Sequence, residues 1–577
     1  MMSSLPLLLQ LPPFVPLLIG SLAAIFLRGH LRSAIMLIAP IWGALQLIGM
    51  EHGIYWAFEF MGYQLEPVRV DKLSMVFGYL FHLAAFIAVV YALHLKDTVQ
   101  HVAGLSYAAS AVGAVFAGDL LTLFVFWELL ALTSVFLVWA RRTDRAYSAG
   151  LRYIVIKVLS GVLLLAGAII FINETGSARF TDIGLGHEGI LNLGAWLIFL
   201  AFGIKCAFPF VHTWLTDAYP EATPTGTIFL ASFTTKVAVY ALARGYPGTE
   251  LLVWIGVTMA CFPIFYAVIE NDLRRVLAYS MINQVGFMVV GVGIGTSLAL
   301  NGAVAHAFND VIFKGLLMMT MGAVLHMTGK INGSELGGLY KSMPKTTILC
   351  IIGAASISAF PLFSGFVSKS MIMSAAIAEG YDYIWLALLF AAAGVFHHAG
   401  IKIPYFAFFA HDSGIRTTEP PKNMMIAMGI AAVLCVVIGT FPAQTVYALL
   451  PWEVNYQPYD ITHVLTQLQL LFFSALAFVW LNLKSMYPPE LPSTNLDADW
   501  LYRKLAPSFI VPIYFSVIQM IERLEGVAKG GINRLINSSY DKDKGQPKGY
   551  FAQLWPTETM VFWIALLLVG ILLLYYI

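Results

Sequence analysis

Four ionisable side chains lie inside runs of apolar residues that are long enough to cross a lipid bilayer. Lys205 lies in the apolar run 191–211, and Lys236 lies midway along the next run. Glu128 has apolar or small residues on both sides, and Lys369 follows a proline break. An ionisable group at the centre of a membrane helix costs about 3 kcal/mol on insertion scales. Because both signs of charge occur, these four residues predict that the chain moves charge across a membrane.

Buried lysines next to carboxylates can carry protons. A lysine moved from water to a low-dielectric site holds its proton less tightly, and an adjacent carboxylate reverses this effect. A lysine whose partner can move away therefore binds and releases a proton near neutral pH, as a relay requires. For Glu128 and Lys205 the alternative is a structural ion pair that fixes helix packing.

Further titratable residues occur in the run 300–327. His306, Asp310 and Lys314 are spaced at i, i+4 and i+8, so a helix places them on one face. A single histidine in such a run is more often a packing residue, but three titratable groups in one stripe favour a relay. A weaker set near the end of a later span consists of His397, His398 and Lys402.

Lysine and arginine side chains near helix ends have a simpler interpretation. Such long side chains reach from the apolar region to the membrane surface. We assign this role to Lys96, Arg152, Lys157, Arg244 and Lys330.

Composition places the chain among membrane proteins. Of 577 residues 59% are hydrophobic and only 11% are charged, which excludes an ordinary soluble protein. The net charge of +1 gives no field that would attract nucleic acid. The four cysteines form no C-x-x-C pair, and no nucleotide, haem or metal motif occurs, so we predict neither cofactor nor metal.

The apolar runs define the transmembrane segments. A membrane helix needs about 20 predominantly apolar residues. Sixteen candidate spans result: 5–27, 31–50, 71–95, 101–117, 119–140, 148–173, 190–212, 223–244, 250–270, 275–296, 300–327, 344–378, 383–410, 423–444, 462–484 and 559–577. We therefore predict an all-α polytopic membrane protein with about 14–16 transmembrane helices.

A short sequence echo predicts an internal repeat. The triplet at 207–209 recurs at 359–361, and both copies lie in spans that contain a proline, so helices 7 and 12 are expected to be broken. Five spans separate the copies, and an odd number inverts the second copy. We predict two inverted five-helix repeats, with the functional site near the broken helices.

The remaining segments follow from composition. From Trp500 to Tyr540 the periodicity predicts an amphipathic helix on the cytoplasmic surface, with a partial span at 506–521 as the alternative. The predicted divisions are helices 1–3 (1–100), the first repeat with helices 4–8 (101–244), the second repeat with helices 9–13 (250–410), helices 14–15 (423–484), a cytoplasmic linker with the lateral helix (485–557), and a last span (558–577).

Basic residues set the expected orientation. Connections that follow odd-numbered spans carry most of the lysine and arginine, including Arg28, Lys96, Arg141, Arg274, Lys330 and Arg416. Basic loops stay in the cytoplasm. The chain is therefore expected in a bacterial inner membrane with its N-terminus outside.

Several motifs resemble the proton-translocating module shared by Mrp-type multisubunit cation/proton antiporters and the membrane arm of complex I. The matching stretches are Phe126–Leu130, Gly203–Pro209, His212–Leu215, Asp272–Gly286, His306–Leu317 and Phe360–Lys369. Thr234-Thr-Lys236 is most similar to the D-type subunits of Mrp antiporters, whereas the region after helix 15 resembles the long complex I homologue.

The resemblance implies roles for the charged residues. Glu128 and Lys205 would form the ion pair that gates a proton relay, Lys236, His306 and Lys314 its middle, and Lys369 its exit. It implies a subunit of a monovalent cation/proton antiporter, with Na⁺ as the expected cation, lipid around it and other membrane subunits as partners. The alternatives are a proton-pumping subunit of complex I or a membrane hydrogenase, a membrane partner of a bicarbonate-accumulating system, and a scaffold that conducts nothing.

Overall fold

In a computed structural model the chain is almost entirely helical. The structure describes residues 11–60, 62–492, 495–538 and 557–576. The first residues of the predicted span 5–27 and part of the predicted segment 485–557 lie outside this description. Among the described residues, fourteen helices are long and apolar enough to cross a membrane, and three shorter apolar helices accompany them. The predicted all-α polytopic fold is therefore confirmed.

The chain divides into two compact units, residues 1–495 and 496–577. The helices of the first half of unit 1 are α1 (Val15–Phe26), α2 (Gly29–Ile48), α3 (Lys72–Ala92), α4 (Thr98–Phe116), α5 (Leu120–Trp139), α6 (Asp144–Thr175), α7 (Gly189–Cys206), α8 (Thr213–Ala218), α9 (Gly226–Ser232) and α10 (Thr234–Gly245). Those of its second half are α11 (Glu250–Ile269), α12 (Leu273–Ile294), α13 (Ser297–Thr328), α14 (Pro344–Ile357), α15 (Ser364–Ala378), α16 (Asp382–Val395), α17 (Lys422–Thr440), α18 (Val446–Leu449) and α19 (Ile461–Leu483).

The connection between α2 and α3 contains short strands that the sequence analysis did not predict. β1 (Gly53–Tyr55) pairs antiparallel with β4 (Val68–Val70), and β2 (Phe58–Phe60) pairs with β3 (Tyr63–Leu65). Each strand has three residues, too few for a recognisable alternation of apolar and polar positions. The pairing satisfies backbone groups of a connection that would otherwise lack partners.

The internal repeat is visible in the helix limits. Both α6 and α13 have 32 residues. The side chain of a threonine caps each helix at its start, Thr143 in one and Thr296 in the other, and each helix ends at a left-handed glycine, Gly176 or Gly329. Glycine takes this conformation without steric cost. One offset of 153 residues relates all these positions, as two copies of one helical unit require.

Both broken helices occur where they were predicted. The first break separates α7 from α8, and the second separates α14 from α15. In the first break the left-handed non-glycine residues are Ala207 and Phe210; in the second they are Ala359 and Leu362, 152 residues further on. Such conformations are uncommon for residues with a side chain and concentrate at functional sites. The same backbone path therefore interrupts the helix in each repeat.

Two further irregularities were not predicted. The eighth transmembrane element is divided between α9 and α10 at Phe233. The thirteenth continues beyond α16 as wider π-helical turns at Phe396–Lys402 and Tyr405–Phe409. Single-turn π-helical segments often mark functional sites.

The interior of unit 1 is formed by the divided element α9–α10 and by α12 and α13. In their apolar windows 100%, 94% and 83% of the residues are buried. A helix that is buried all round needs no polar face toward lipid or water. Charged side chains on these helices must therefore find their partners within the protein.

The described residues of unit 2 include two helices. Wider turns at Leu501–Leu505 lead into α20 (Ala506–Ser538), and α21 covers Thr557–Tyr576. The helix predicted from residue 500 is thus present. The stretch Leu501–Arg534 is also long and apolar enough to cross a membrane. Its position along the membrane surface stays a prediction.

Candidate functional site

An ion pair lies in the interior of unit 1. Lys236 Nζ on α10 is 2.6 Å from Asp310 Oδ2 on α13, and both side chains are fully buried. Lys236 also donates a hydrogen bond of 3.0 Å to the carbonyl of Ala231, just before the interruption at Phe233. Asp310 was among the weaker candidates from the sequence, yet its carboxylate is the direct partner of Lys236.

The other two residues of the α13 stripe are fixed by serine hydroxyls. Lys314 Nζ donates to Ser280 Oγ on α12 at 2.8 Å, and His306 Nδ1 lies 3.0 Å from Ser368 Oγ on α15. Lys314 and His306 are both fully buried. The stripe therefore joins α10, α12 and α15 through short polar contacts.

Lys369 is held at the break between α14 and α15. Its Nζ donates to the carbonyl of Ile357, the last residue of α14, at 2.8 Å. The ammonium also lies 5.1 Å from the ring centroid of Phe287. The end of a helix carries partial negative charge and exposes carbonyl groups without helical partners, so the break provides a site for a cation.

Lys205 occupies a comparable position in the first repeat. It lies in the last turn of α7, fully buried, and its Nζ donates to the carbonyl of Trp127 on α5. The indole of Trp127 lies beside it, with the ring centroid 4.3 Å from Nζ.

The predicted direct ion pair between Glu128 and Lys205 is not formed in this structure. The lysine instead bonds the carbonyl of Trp127, one residue before Glu128. The Glu128 side chain is only partly buried, and its Oε1 has no hydrogen-bond partner. Glu128 and Lys205 remain within electrostatic range. Helix rotation explains the difference, because it turns Trp127 inward and Glu128 toward α6.

The assignment of Lys157 to the membrane surface was wrong. Its side chain is fully buried, and Nζ lies 2.9 Å from the ring centroid of Trp214 and within electrostatic range of Lys205. The offset of 153 residues between α6 and α13 leads from Lys157 to Asp310, whereas the sequence echo, with its offset of 152, leads to Asn309. Lys157 is therefore in the interior of the first repeat where Asp310 is in the interior of the second.

The weaker candidates occupy the π-helical part of helix 13. Lys402 Nζ lies 2.8 Å from Glu490 Oε1 and donates to the carbonyls of Val268 and Glu270 at 2.6 and 2.7 Å. Glu490, which sequence reasoning had placed in a linker, is thus a buried partner that was missed.

The neighbouring histidines differ from each other. His398 is fully buried and within electrostatic range of Lys314. His397 is partly buried and stacks on Tyr487, with ring centroids 5.4 Å apart. His398 is therefore close to both Lys314 and Lys402, whereas of these two lysines His397 is within electrostatic range of Lys402.

We call these groups together the buried charge series. Each member lies within electrostatic range of another, and the Cys206 thiol lies near both Lys157 and Lys236. The series consists of Glu128, Lys205, Lys157, Lys236, Asp310, Lys314, His306 and Lys369. No group of three or more His, Cys, Asp and Glu in the described residues could hold a metal ion. Every member of the series is a titratable side chain.

Residues 117–440 match the family described as NADH:quinone oxidoreductase/Mrp antiporter, TM. The chain belongs to this family. The matched segment contains every member of the buried charge series together with His397, His398 and Lys402. It begins two residues before Asp119, the cap of α5.

Other members of this family are similar over long stretches. The D-type subunit of the Na(+)/H(+) antiporter of Alkalihalophilus pseudofirmus is 30% identical over 334 residues, which cover 55% of this chain and 66% of that protein. The aligned part thus spans just under two thirds of that relative.

Two solved structures share the fold. A chain of the Mrp complex from Dietzia sp. is 21% identical, with a TM-score of 0.66, and the match covers 83% of this chain and 99% of that one. A chain of the membrane-bound sulfane sulfur reductase, an archaeal respiratory membrane complex, is 22% identical, with a TM-score of 0.71 and coverages of 97% and 99%. Antiporter and respiratory complexes therefore both contain this fold.

Proposed function

We propose that the chain is the proton-translocating subunit of a multisubunit monovalent cation/proton antiporter, with Na⁺ as the exchanged cation. The observation that carries the proposal is the fully buried Lys236–Asp310 pair, with further titratable groups on both sides of it. Burying a charge is costly even when it is paired, and a purely structural contact would not need eight such groups in series. The antiporter relative supports the choice of Na⁺.

In this proposal protons pass along the buried charge series by transfer between side chains and intervening water. Movement of one proton changes the charge at its site and so biases the neighbouring sites, which lie within electrostatic range. Lys205 and Glu128 stand at one end and Lys369 at the other. His398, Lys402 and Glu490 form a side branch near Lys314.

The proposal extends to the surroundings of the chain. Other membrane subunits and the lipid bilayer are its partners, and the complex lies in a bacterial inner membrane. The N-terminus is outside, because basic residues concentrate in the connections that follow odd-numbered spans. The predicted divisions into helices 1–3, the two repeats, helices 14–15 and the C-terminal segment complete this description.

Cation-dependent proton flux tests the proposal. In inverted vesicles from cells that express the chain with its operon neighbours, addition of Na⁺ is expected to dissipate a preformed pH gradient. Li⁺ and K⁺, tested separately, define the selectivity. Vesicles that lack only this chain are the control.

The second candidate is a proton-pumping subunit of a complex I-like enzyme or a membrane hydrogenase. If this candidate is right, no cation will dissipate the gradient, and a reductant will drive proton uptake instead. Absence of both responses would contradict both candidates.

The position of Glu128 gives a second prediction. A Cβ placed on Gly161 of α6 would lie 1.4 Å from Glu128 Oε1, so Gly161→Ala must displace the carboxylate. Because the obstacle is the end of a flexible side chain, the helix itself is expected to fold. We expect the antiport rate to fall about tenfold, which corresponds to about 1.4 kcal/mol.

Gly429→Ala on α17 is the matched control, because a Cβ there meets nothing within 4 Å. Both variants are compared by amount of assembled complex and by Na⁺-dependent proton flux. Equal flux in the two variants would mean that the carboxylate position has no role in transport.

A further inference from the structure

A cavity lies beside Lys369, away from the rest of the buried charge series. Its volume is about 130 Å³, and it lies between α15, α16 and α19. Lys369, Ser374 and His463 are among its polar lining residues. A water molecule occupies about 30 Å³ of liquid, so the cavity has room for roughly four waters.

His463 also lines this cavity. Its Nε2 lies 3.0 Å from Ser374 Oγ, a lining group, and Ser374 Oγ lies 3.2 Å from the hydroxyl of Tyr456. The opposite ring nitrogen, Nδ1, lies 2.7 Å from Asp460 Oδ2. One edge of the imidazole therefore contacts Ser374 in the cavity that Lys369 also lines, and the other edge contacts a carboxylate.

The carboxylate end reaches the surface of the chain. The side chains of His463 and Asp460 are 34% and 50% exposed. Asp460 caps α19 by accepting a hydrogen bond of 2.7 Å from the backbone N–H of His463. That bond holds the pKa of the Asp460 carboxyl below its ordinary value, so the carboxylate stays ionised beside the ring.

We propose that protons pass between Lys369 and the aqueous phase through this cavity, and that His463 is the residue that carries them from the cavity to Asp460 at the surface. The Lys369 ammonium gives its proton to cavity water, and a proton from the water or Ser374 hydroxyl reaches His463 Nε2. The resulting imidazolium passes its Nδ1 proton to the Asp460 carboxylate, 2.7 Å away, and this half-exposed carboxylate releases the proton to water. Reversal of the steps carries a proton inward. The groups that face His463 in this step are Asp460, Tyr456, Ser374 and, across the cavity, Lys369.

The inference rests on the proposed function, and it adds a residue on α19 that lies outside the matched family segment 117–440. Imidazole suits the step because its two nitrogens can accept and release protons on opposite sides of the ring. Proton transfer through a positioned side chain typically contributes a factor of about 10² or more.

The test is His463→Ala, and the measurement is the uptake of radioactive Na⁺ by vesicles that contain the whole complex. We expect a loss of about tenfold or more, since water in the cavity still provides a slower route. Added imidazole is expected to restore part of the rate, because the removed ring lies at an exposed position. A structural role would not predict this rescue. Leu468→Ala, at an exposed position of α19 outside the cavity lining, should keep most of the activity and show no response to imidazole.

The variants separate the failure of this inference from failure of the proposed function. Lys369→Ala should abolish uptake with or without imidazole. Loss in Lys369→Ala together with unchanged uptake in His463→Ala would overturn the inference alone, as would a loss in His463→Ala that imidazole does not repair. Unchanged uptake in both Lys369→Ala and His463→Ala would overturn the proposed function as well.

Discussion

Replacement of Lys205 by alanine is expected to abolish Na⁺-dependent proton flux while the complex still assembles. The ammonium of Lys205 is fully buried, bonds the backbone carbonyl of Trp127 and lies beside the Trp127 indole, so it contributes a titratable site in the interior. Loss of a group that carries the proton should reduce flux by a factor on the order of 10² to 10⁴. The measurement is dissipation of a pH gradient in inverted vesicles after Na⁺ is added.

Lys205→Met separates this effect from poor packing. Methionine keeps the length and apolar volume of the lysine stem but cannot bind a proton. We expect the same loss of flux as in the alanine variant, with assembly closer to the parent. Lys96→Ala, which removes an exposed lysine in the connection after α3, is the matched control and should transport normally. Normal flux in Lys205→Met would exclude this lysine from the relay.

The Lys236–Asp310 pair gives the second large prediction. Asp310→Asn removes the negative charge that faces the Lys236 ammonium, while the ammonium itself stays fully buried. Breaking a buried pair from one side typically costs about 3–5 kcal/mol, unless the remaining group gives up its charge. We expect loss of transport and a lower thermal stability of the detergent-solubilised complex, measured by fluorescence-detected size exclusion.

A double replacement decides what the pair does. Lys236→Met with Asp310→Leu removes both charges, and replacing a buried pair with apolar residues is often neutral or stabilising. Stability should therefore return, but transport should not. Recovery of transport in the double variant would show that the pair only fixes helix packing. Glu335→Gln is the surface control, because Glu335 and Lys330 form an exposed pair whose loss should cost less than about 1 kcal/mol.

The two repeats share a backbone plan and differ in chemistry. The 153-residue offset that aligns α6 with α13 also pairs Lys157 with Asp310, and Gly161 with Lys314. In the first repeat, glycine at position 161 makes room for the Glu128 carboxylate from α5. In the second, a lysine occupies the equivalent position and bonds Ser280. The repeat thus fixes where a side chain can be, and the residue type decides which charge is there.

Other residues show why sequence reasoning stopped short. Lys157 resembled a surface-reaching lysine because distance from the end of an apolar run was the only criterion available. Glu490 follows two prolines in a polar stretch and has the composition of a linker, yet the chain returns and brings it to Lys402. The strands between residues 53 and 70 are too short to leave a periodic pattern.

The sequence by itself determined the membrane fold, the two broken helices and most of the buried charge series. The reason is energetic: apolar runs about 20 residues long have few stable alternatives to a membrane helix, and an ionisable residue inside one must face other protein groups or water. Only the tertiary structure decided which partners meet. Lys236 and Asp310 are 74 positions apart, and the rotation and packing of α10 and α13 bring them into contact. The same kind of rotation separates Glu128 from Lys205, because residue spacing defines a helix face but not which neighbouring helix that face contacts.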